Sequence, residues 1–131
     1  MTVSVERVAG DVAVLTFSTP PVNLYSIEMH DDFDRALDEV EASLPRALLI
    51  RAEGKIVSGG VDVSQFAAQK TLSATKALYD RMIELPDRVA ALPVPTFFAA
   101  HALTLTWAFE VALACDIVVA SEKAKFGLVE R

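Results

Sequence analysis

From Leu105 to Cys115 the only charged side chain is Glu110. A carboxylate among Trp107, Ala108, Phe109, Val111 and Ala112 loses hydration, so its pKa is expected to rise and it needs a partner. Such a group either trades protons in a reaction or sits in a structural ion pair with an Arg or Lys from elsewhere, and its position alone leaves both open. A second candidate is the loop Lys55-Ile56-Val57-Ser58-Gly59-Gly60-Val61-Asp62, which leads from an apolar run into a short helical segment. Adjacent glycines let backbone approach a ligand, and free N–H groups at a helix start stabilise anions. An ordinary strand-to-helix connection has the same composition. There is no GxGxxG or P-loop pattern, and Ser58 lacks the G-x-S-x-G surround of a nucleophile elbow. Two histidines and one cysteine give no metal-ligand cluster. His101, in an apolar run, reads as a satisfied core histidine. Glu130, next to the last residue, reads by itself as a solvated end group.

The elements that must position these groups follow from periodicity. Thr2–Val8 and Val12–Phe17 are expected to form two strands joined at Gly10-Asp11, a hairpin signal. Thr19-Pro20-Pro21 ends the extended run. Ser26 is an N-cap candidate, and Met29, Phe33, Leu37, Val40 and Leu44 recur at helical spacing, which predicts an amphipathic helix over Ile27–Leu44, stopped by Pro45. Arg46–Ala52 contains the buried run ALLI. A short helical turn over Val61–Ala68 and a longer helix over most of Leu72–Leu92 follow, the latter with a kink expected at Pro86. Thr96–Ala100 is a further buried strand, Leu105–Cys115 a buried helix, and Ile117–Ala120 a third short strand. Alternation of this kind predicts an α/β layered fold with 48–52, 96–100 and 117–120 as adjacent parallel strands.

A chain of 131 residues fits one small domain, 1–131. Apolar residues make up 53% of it, a surplus that suggests surface covered by partner subunits. A net charge of −6 without a basic stripe argues against nucleic acid as a partner. A single cysteine, Cys115, allows no internal disulfide and fits a reducing, cytoplasmic setting. The opening MTVSVERVAGDV has no basic segment before an apolar run, so no signal peptide is expected. Residues 97–115 are long enough to span a bilayer. Glu110 inside the stretch and the absence of flanking Lys/Arg favour a buried strand-turn-helix, with no membrane partner.

Taken in order, the segments resemble the crotonase, or enoyl-CoA hydratase/isomerase, superfamily, in its N-terminal half. Pro20-Pro21-Val22-Asn23-Leu24 is similar to the family's early turn bordering the CoA adenine. Lys55–Asp62 is similar to K-x-F-x-x-G-x-D. Leu92-Pro93-Val94-Pro95 and Ala99–Glu110 are similar to L-P-x-P and the Gly-rich segment ending in Glu. Leu113-Ala114-Cys115-Asp116 matches L-A-x-D, and Ala124-Lys125-Phe126-Gly127 with Glu130 matches A-x-F-x-x-x-E. The resemblance implies a crotonase-type ββα spiral core lacking its C-terminal helical part. It also implies an acyl-CoA thioester as substrate, no cofactor beyond the coenzyme A it carries, and a homo-oligomer, trimer or hexamer. It implies Val61 and Trp107 as backbone donors of an oxyanion hole, Glu110 and Glu130 as the acid/base pair, and Val22, Gly59, Gly60 and Asp62 as substrate-binding positions. With both glutamate positions filled, syn hydration of a 2-enoyl-CoA is favoured over double-bond isomerisation, thioester hydrolysis and decarboxylation.

Two departures bear on that expectation. The Gly-rich stretch is here Ala102–Phe109, with no glycine, so a Cβ stands where the family has none and strain is expected. Trp107 at the second donor position either narrows the acyl pocket or points away from it. Together with a length about half the family's, these features support a rival of another class, a non-catalytic remnant or assembly subunit that keeps the fold.

Overall fold

In the computed structural model, which describes residues 2–128, alternation sets the layers. Strand β1 (Val3–Val8) turns back into β2 (Val12–Phe17) through Gly10 and Asp11, both at positive φ (84° and 60°), which the hairpin turn requires. In β2, β3 (Ala47–Ala52) and β4 (Thr96–Ala100) every second side chain is buried. The registers align these side chains in rows: Ala13 beside Leu48 beside Thr96, then Leu15 beside Ile50 beside Phe98. The five-stranded sheet runs β1-β2-β3-β4-β6, where β6 is Ile117–Ala120. Only β1–β2 is antiparallel, so β3, β4 and β6 are adjacent and parallel as expected.

Helix α1 (Ile27–Ala42) buries Met29, Phe33, Leu37 and Val40 of the predicted stripe, whereas Leu44, its fifth member, lies beyond the helix and is exposed; the cap is the predicted one, Ser26 Oγ accepting from Met29 N at 3.1 Å. α2 (Val63–Ala67) is short. α3 (Leu72–Ala90) runs on past Pro86 and buries Leu78, Met82, Leu85 and Val89. Arg88 of α3 binds Asp34, Asp38 and Glu41 of α1 at 3.1, 2.5 and 2.9 Å, fastening the two helices along their wet edge.

Three expectations need correction. The buried helix over 105–115 is shorter: α4 spans Trp107–Ala114, and Thr104–Leu105 instead forms β5, paired in parallel with β7 (Phe126–Gly127). His101 is not a core residue. It is exposed just beyond β4, with Nε2 2.8 Å from the Gly54 carbonyl, because the chain leaves the sheet at Ala100. The strands expected to be buried are fully buried on one face only: the outward residues of β3 and β4 are half-covered. On β6, Ile117, Val118 and Val119 are exposed, as are Leu113, Phe126 and Leu128 elsewhere. Residues 97–115 divide among β4, β5 and α4, and no helix among the described residues is long and apolar enough to cross a membrane.

The N-terminal strand is stapled to α1 by one carboxylate. Thr2 donates its N–H and its hydroxyl to Asp32 Oδ2, both at 2.8 Å, and Arg35 donates to Oδ1 at 2.6 Å. These bonds, the Thr2 amide first, lower the Asp32 pKa from 3.8 to about 2. A carboxyl whose pKa falls on folding stabilises the fold above its unfolded value, and that stability is lost as pH drops through the folded value. Asp32→Asn is therefore expected to be less stable than the parent at neutral pH, with the gap closing between pH 4 and pH 2. Urea unfolding at a series of pH values measures it, and a gap independent of pH would remove the charge from the explanation.

Candidate functional site

The exits of β2 and β3 meet at one end of the sheet, where strand carboxyl ends leave a crevice. Asn23, in the turn after β2, is buried and adopts φ 51°, a left-handed conformation that Asn tolerates better than most residues. Its Oδ1 accepts from Thr19 N at 2.7 Å. Its Nδ2 lies 2.7, 3.2 and 3.1 Å from the carbonyls of Glu53, Ile56 and Val57. One carboxamide thus ties the 19–24 turn to the loop after β3.

That loop is then placed atom by atom. Gly59 N donates to Val22 O at 2.8 Å, and a Cβ on Gly59 would stand 3.3 Å from Val22 Cβ, so a side chain there would push these expected substrate-binding positions apart by a few tenths of an ångström. Gly60 is at φ 116°, outside the ordinary range for other residues. Tyr25 N donates to Gly60 O, and Asp62 N to Tyr25 O, each at 2.9 Å. This parallel bridge takes up the groups on either side of Val61, so the Val61 amide faces away from Tyr25. Asp62 caps α2 by accepting from Ser64 N at 3.1 Å. It also lines an open groove of about 200 Å³ with Pro20, Pro21, Val22 and Leu24.

The second segment comes alongside through backbone pairing. Ser58 N donates to Leu103 O at 3.1 Å, and Leu105 N to Ser58 O at 3.2 Å. Thr106 N then donates to Gly127 O at 2.8 Å, and α4 begins at Trp107, whose amide is one of the orphan donors of a helix start. Among the described residues neither the Val61 nor the Trp107 amide has a hydrogen-bond partner. The segments touch: a Cβ built on Gly60 would lie 3.5 Å from Thr106 Oγ1.

Trp107 points into the core, away from the groove. It is 2% exposed, its ring lies 5.0 Å from that of Phe17, 6.1 Å from Tyr25 and 6.4 Å from Phe33, and its Nε1 donates to Ser58 Oγ at 2.8 Å. Glu110 lies one helical turn further on, half-buried, with its amide bonded to Thr106 O at 3.0 Å. Glu130 lies outside the described residues. Burial pushes the Cys115 thiol up to about 11, which keeps it protonated and unreactive. Behind the loop, the Tyr25 hydroxyl meets His30 Nδ1, and His30 Nε2 lies 3.4 Å from Asp34. Burial lowers the His30 pKa, so the neutral ring accepts from tyrosine.

By architecture the chain is a crotonase-type α/β core. A crystal structure of an enoyl-CoA hydratase/isomerase from Xanthobacter autotrophicus Py2 matches it with a TM-score of 0.90 at 31% identity, over 99% of this chain and 49% of that one. The enoyl-CoA hydratase/isomerase family model matches residues 7–131, and the chain belongs to that family. Among curated relatives, a Bacillus subtilis protein named "Probable enoyl-CoA hydratase" is 35% identical over 120 residues, 91% of this chain and 46% of the relative. The 2,3-dehydroadipyl-CoA hydratase of Escherichia coli is 30% identical over 124 residues, again 91% and 46%. The chain spans about half the length of these relatives.

Three residues escaped the sequence reading: Asn23 as a clamp, Ser58 as more than a failed nucleophile, and Thr106. An Asn directly after a Pro-Pro turn, and a lone hydroxyl in the otherwise apolar Ile56–Gly60 stretch, were the available signals. Thr106 is where the missing glycine tells. It adopts φ 58° and ψ −114°, and its buried Oγ1 has no hydrogen-bond partner among the described residues. Such backbone strain costs roughly 1–3 kcal/mol, and an unsatisfied buried hydroxyl about as much again. Glycine's greater unfolded freedom offsets only ~0.5–1 kcal/mol of that. Thr106→Gly is therefore expected to stabilise the protein by on the order of 1 kcal/mol, read in calorimetry as a rise in Tm of about 4 °C. A lower Tm would show that the threonine methyl, by its packing, outweighs the strain.

Proposed function

We propose that the protein binds an acyl-CoA thioester with its carbonyl oxygen between the amides of Val61 and Trp107, and that its reaction passes through the enolate stabilised there. The observation that supports this reading is the pair of unpartnered amides on two touching segments. Preorganised donors aimed at a developing negative charge are worth most where water is excluded, and they need no particular side chain. An inward-pointing Trp107 therefore leaves the donor intact. Val22, Gly59, Gly60 and Asp62 would border the groove through which the coenzyme A portion approaches, and no other cofactor is required. The proposed setting is a cytoplasmic homo-oligomer, trimer or hexamer, of a single core domain over 1–131, whose contacts would cover the exposed apolar residues of β6.

The most concrete reaction is syn addition of water to a 2-enoyl-CoA. Water oxygen attacks the β-carbon while one glutamate of the pair Glu110 and Glu130 takes its proton, and the other delivers a proton to the α-carbon. Relatives named as hydratases favour this over isomerisation, for which a single glutamate suffices. A second reading, a non-catalytic remnant, is favoured by the strained, glycine-free approach to α4.

Loss of enoyl absorbance with crotonyl-CoA tests the proposal. Glu110→Gln and Glu130→Gln are each expected to lower turnover by about 10²–10⁴-fold, with the double variant little worse than the worse single one. Equal rates for parent and Glu110→Gln would remove Glu110 from the chemistry. A folded but inert parent would establish the remnant reading.

A further inference from the structure

Ser58 is fully buried, and its hydroxyl oxygen is saturated. Oγ accepts from the Trp107 indole at 2.8 Å and from the Gly60 amide at 3.0 Å. It donates to Asn23 O at 2.7 Å, with Gly60 O also at 3.3 Å. A hydroxyl has one donor and two acceptor positions, and all are occupied by groups of the three segments that build the site. One of these partners, Gly60, precedes Val61 directly. Another is the side chain of the residue whose own amide is the second expected donor.

We propose that Ser58 is a positioning residue that fixes the spacing between the Val61 and Trp107 amides, through a hydrogen bond to the segment of each. This rests on the acyl-thioester reading above and deepens it. The physical reason is local. A tryptophan at the first turn of α4 can sit in the core only if its N–H finds an acceptor there, and Ser58 Oγ supplies it. The indole, wedged against Phe17, Tyr25 and Phe33, then holds the start of α4 against the loop. The same oxygen holds the Gly60 amide, so the two donors share a reference point that neither provides alone. Ser58 touches neither substrate nor reacting atoms in this scheme.

The chain's single tryptophan allows a direct readout, because the only indole N–H resonance belongs to Trp107. The experiment compares the full chain with Ser58→Ala and Trp107→Phe. It measures the indole resonance where present, crotonyl-CoA kinetics, and affinity for two probes: acetoacetyl-CoA, whose enolised thioester presents an oxyanion, and coenzyme A, which has no carbonyl. Ser58→Ala is expected to shift the indole resonance, to weaken acetoacetyl-CoA binding and lower kcat by about 10–100-fold, and to leave coenzyme A affinity and KM nearly unchanged. Trp107→Phe keeps the backbone donor and an aromatic ring, though a smaller one. It should lose less, and adding Ser58→Ala to it should cost less than in the parent, because the stranded indole donor is gone. A shifted indole with an unchanged acetoacetyl-CoA to coenzyme A ratio would overturn the proposal. So would strict additivity of the two substitutions; if Ser58→Ala alone folds poorly, the double variant is compared with Trp107→Phe instead, and an equal acetoacetyl-CoA to coenzyme A ratio in those two would overturn the proposal as well. A parent with no preference for acetoacetyl-CoA over coenzyme A would sink the thioester reading itself, a distinct result.

Discussion

Irregular backbone packed beneath a protein surface must find a partner for every N–H and C=O, and the loop between β3 and α2 meets that constraint chiefly through Asn23. Its side chain accepts from the turn before it and donates to carbonyls on Glu53, Ile56 and Val57 that no strand ladder could reach. With those carbonyls satisfied, the chain can run close under Val22, turn at Gly60 and present Val61. Remove the carboxamide and three carbonyls, that of Val57 buried, lose this donor at once, a larger penalty than any single surface ion pair in the molecule could offset.

The second half of the site is held by apolar packing instead. Trp107 belongs to the cluster of Phe17, Tyr25 and Phe33, so the N-terminus of α4 is anchored to β2 and α1 rather than hanging from its own loop. Core and site are therefore not separable here. The strain at Thr106 is tolerated because the residues on both sides of it are fixed, Thr104 and Thr106 by their amides to Lys125 and Gly127, and Trp107 by its ring.

Much of the fold was legible because the relevant signals are local. The apolar runs of β2 and β4, the stripe of α1 as far as Val40, the Ser26 cap and the Gly10-Asp11 turn are written into short windows of sequence, whereas the one-sided burial of the strands is not. The β5–β7 pair was not legible, since Thr104 and Phe126 carry no strand signal apart from each other. His101 was misread because the apolar run around it continues past the point where the chain leaves the sheet. In the candidate site, the family resemblance pointed to Val61, Trp107 and the groove positions, and only Glu110 also stood out by its own apolar surroundings. The direction of the Trp107 side chain could not be read, because it is set by a hydroxyl 49 residues away. Glu130 lies outside the described residues, so its part of the reading rests on resemblance.

The sheet's pairing pattern also sets an order of assembly. The β1–β2 hairpin joins near neighbours, Val8 with Val12, whereas Leu48 must find Thr96. Hairpins of the first kind close within about 1–10 μs, while parallel pairing waits for a long crossover whose closure is entropically dearer. The loop carrying Ser58 and Val61 lies inside that crossover, and its counterpart at Trp107 lies beyond it. Bringing that loop against the start of α4 thus requires the long crossover to close with β3 and β4 in register.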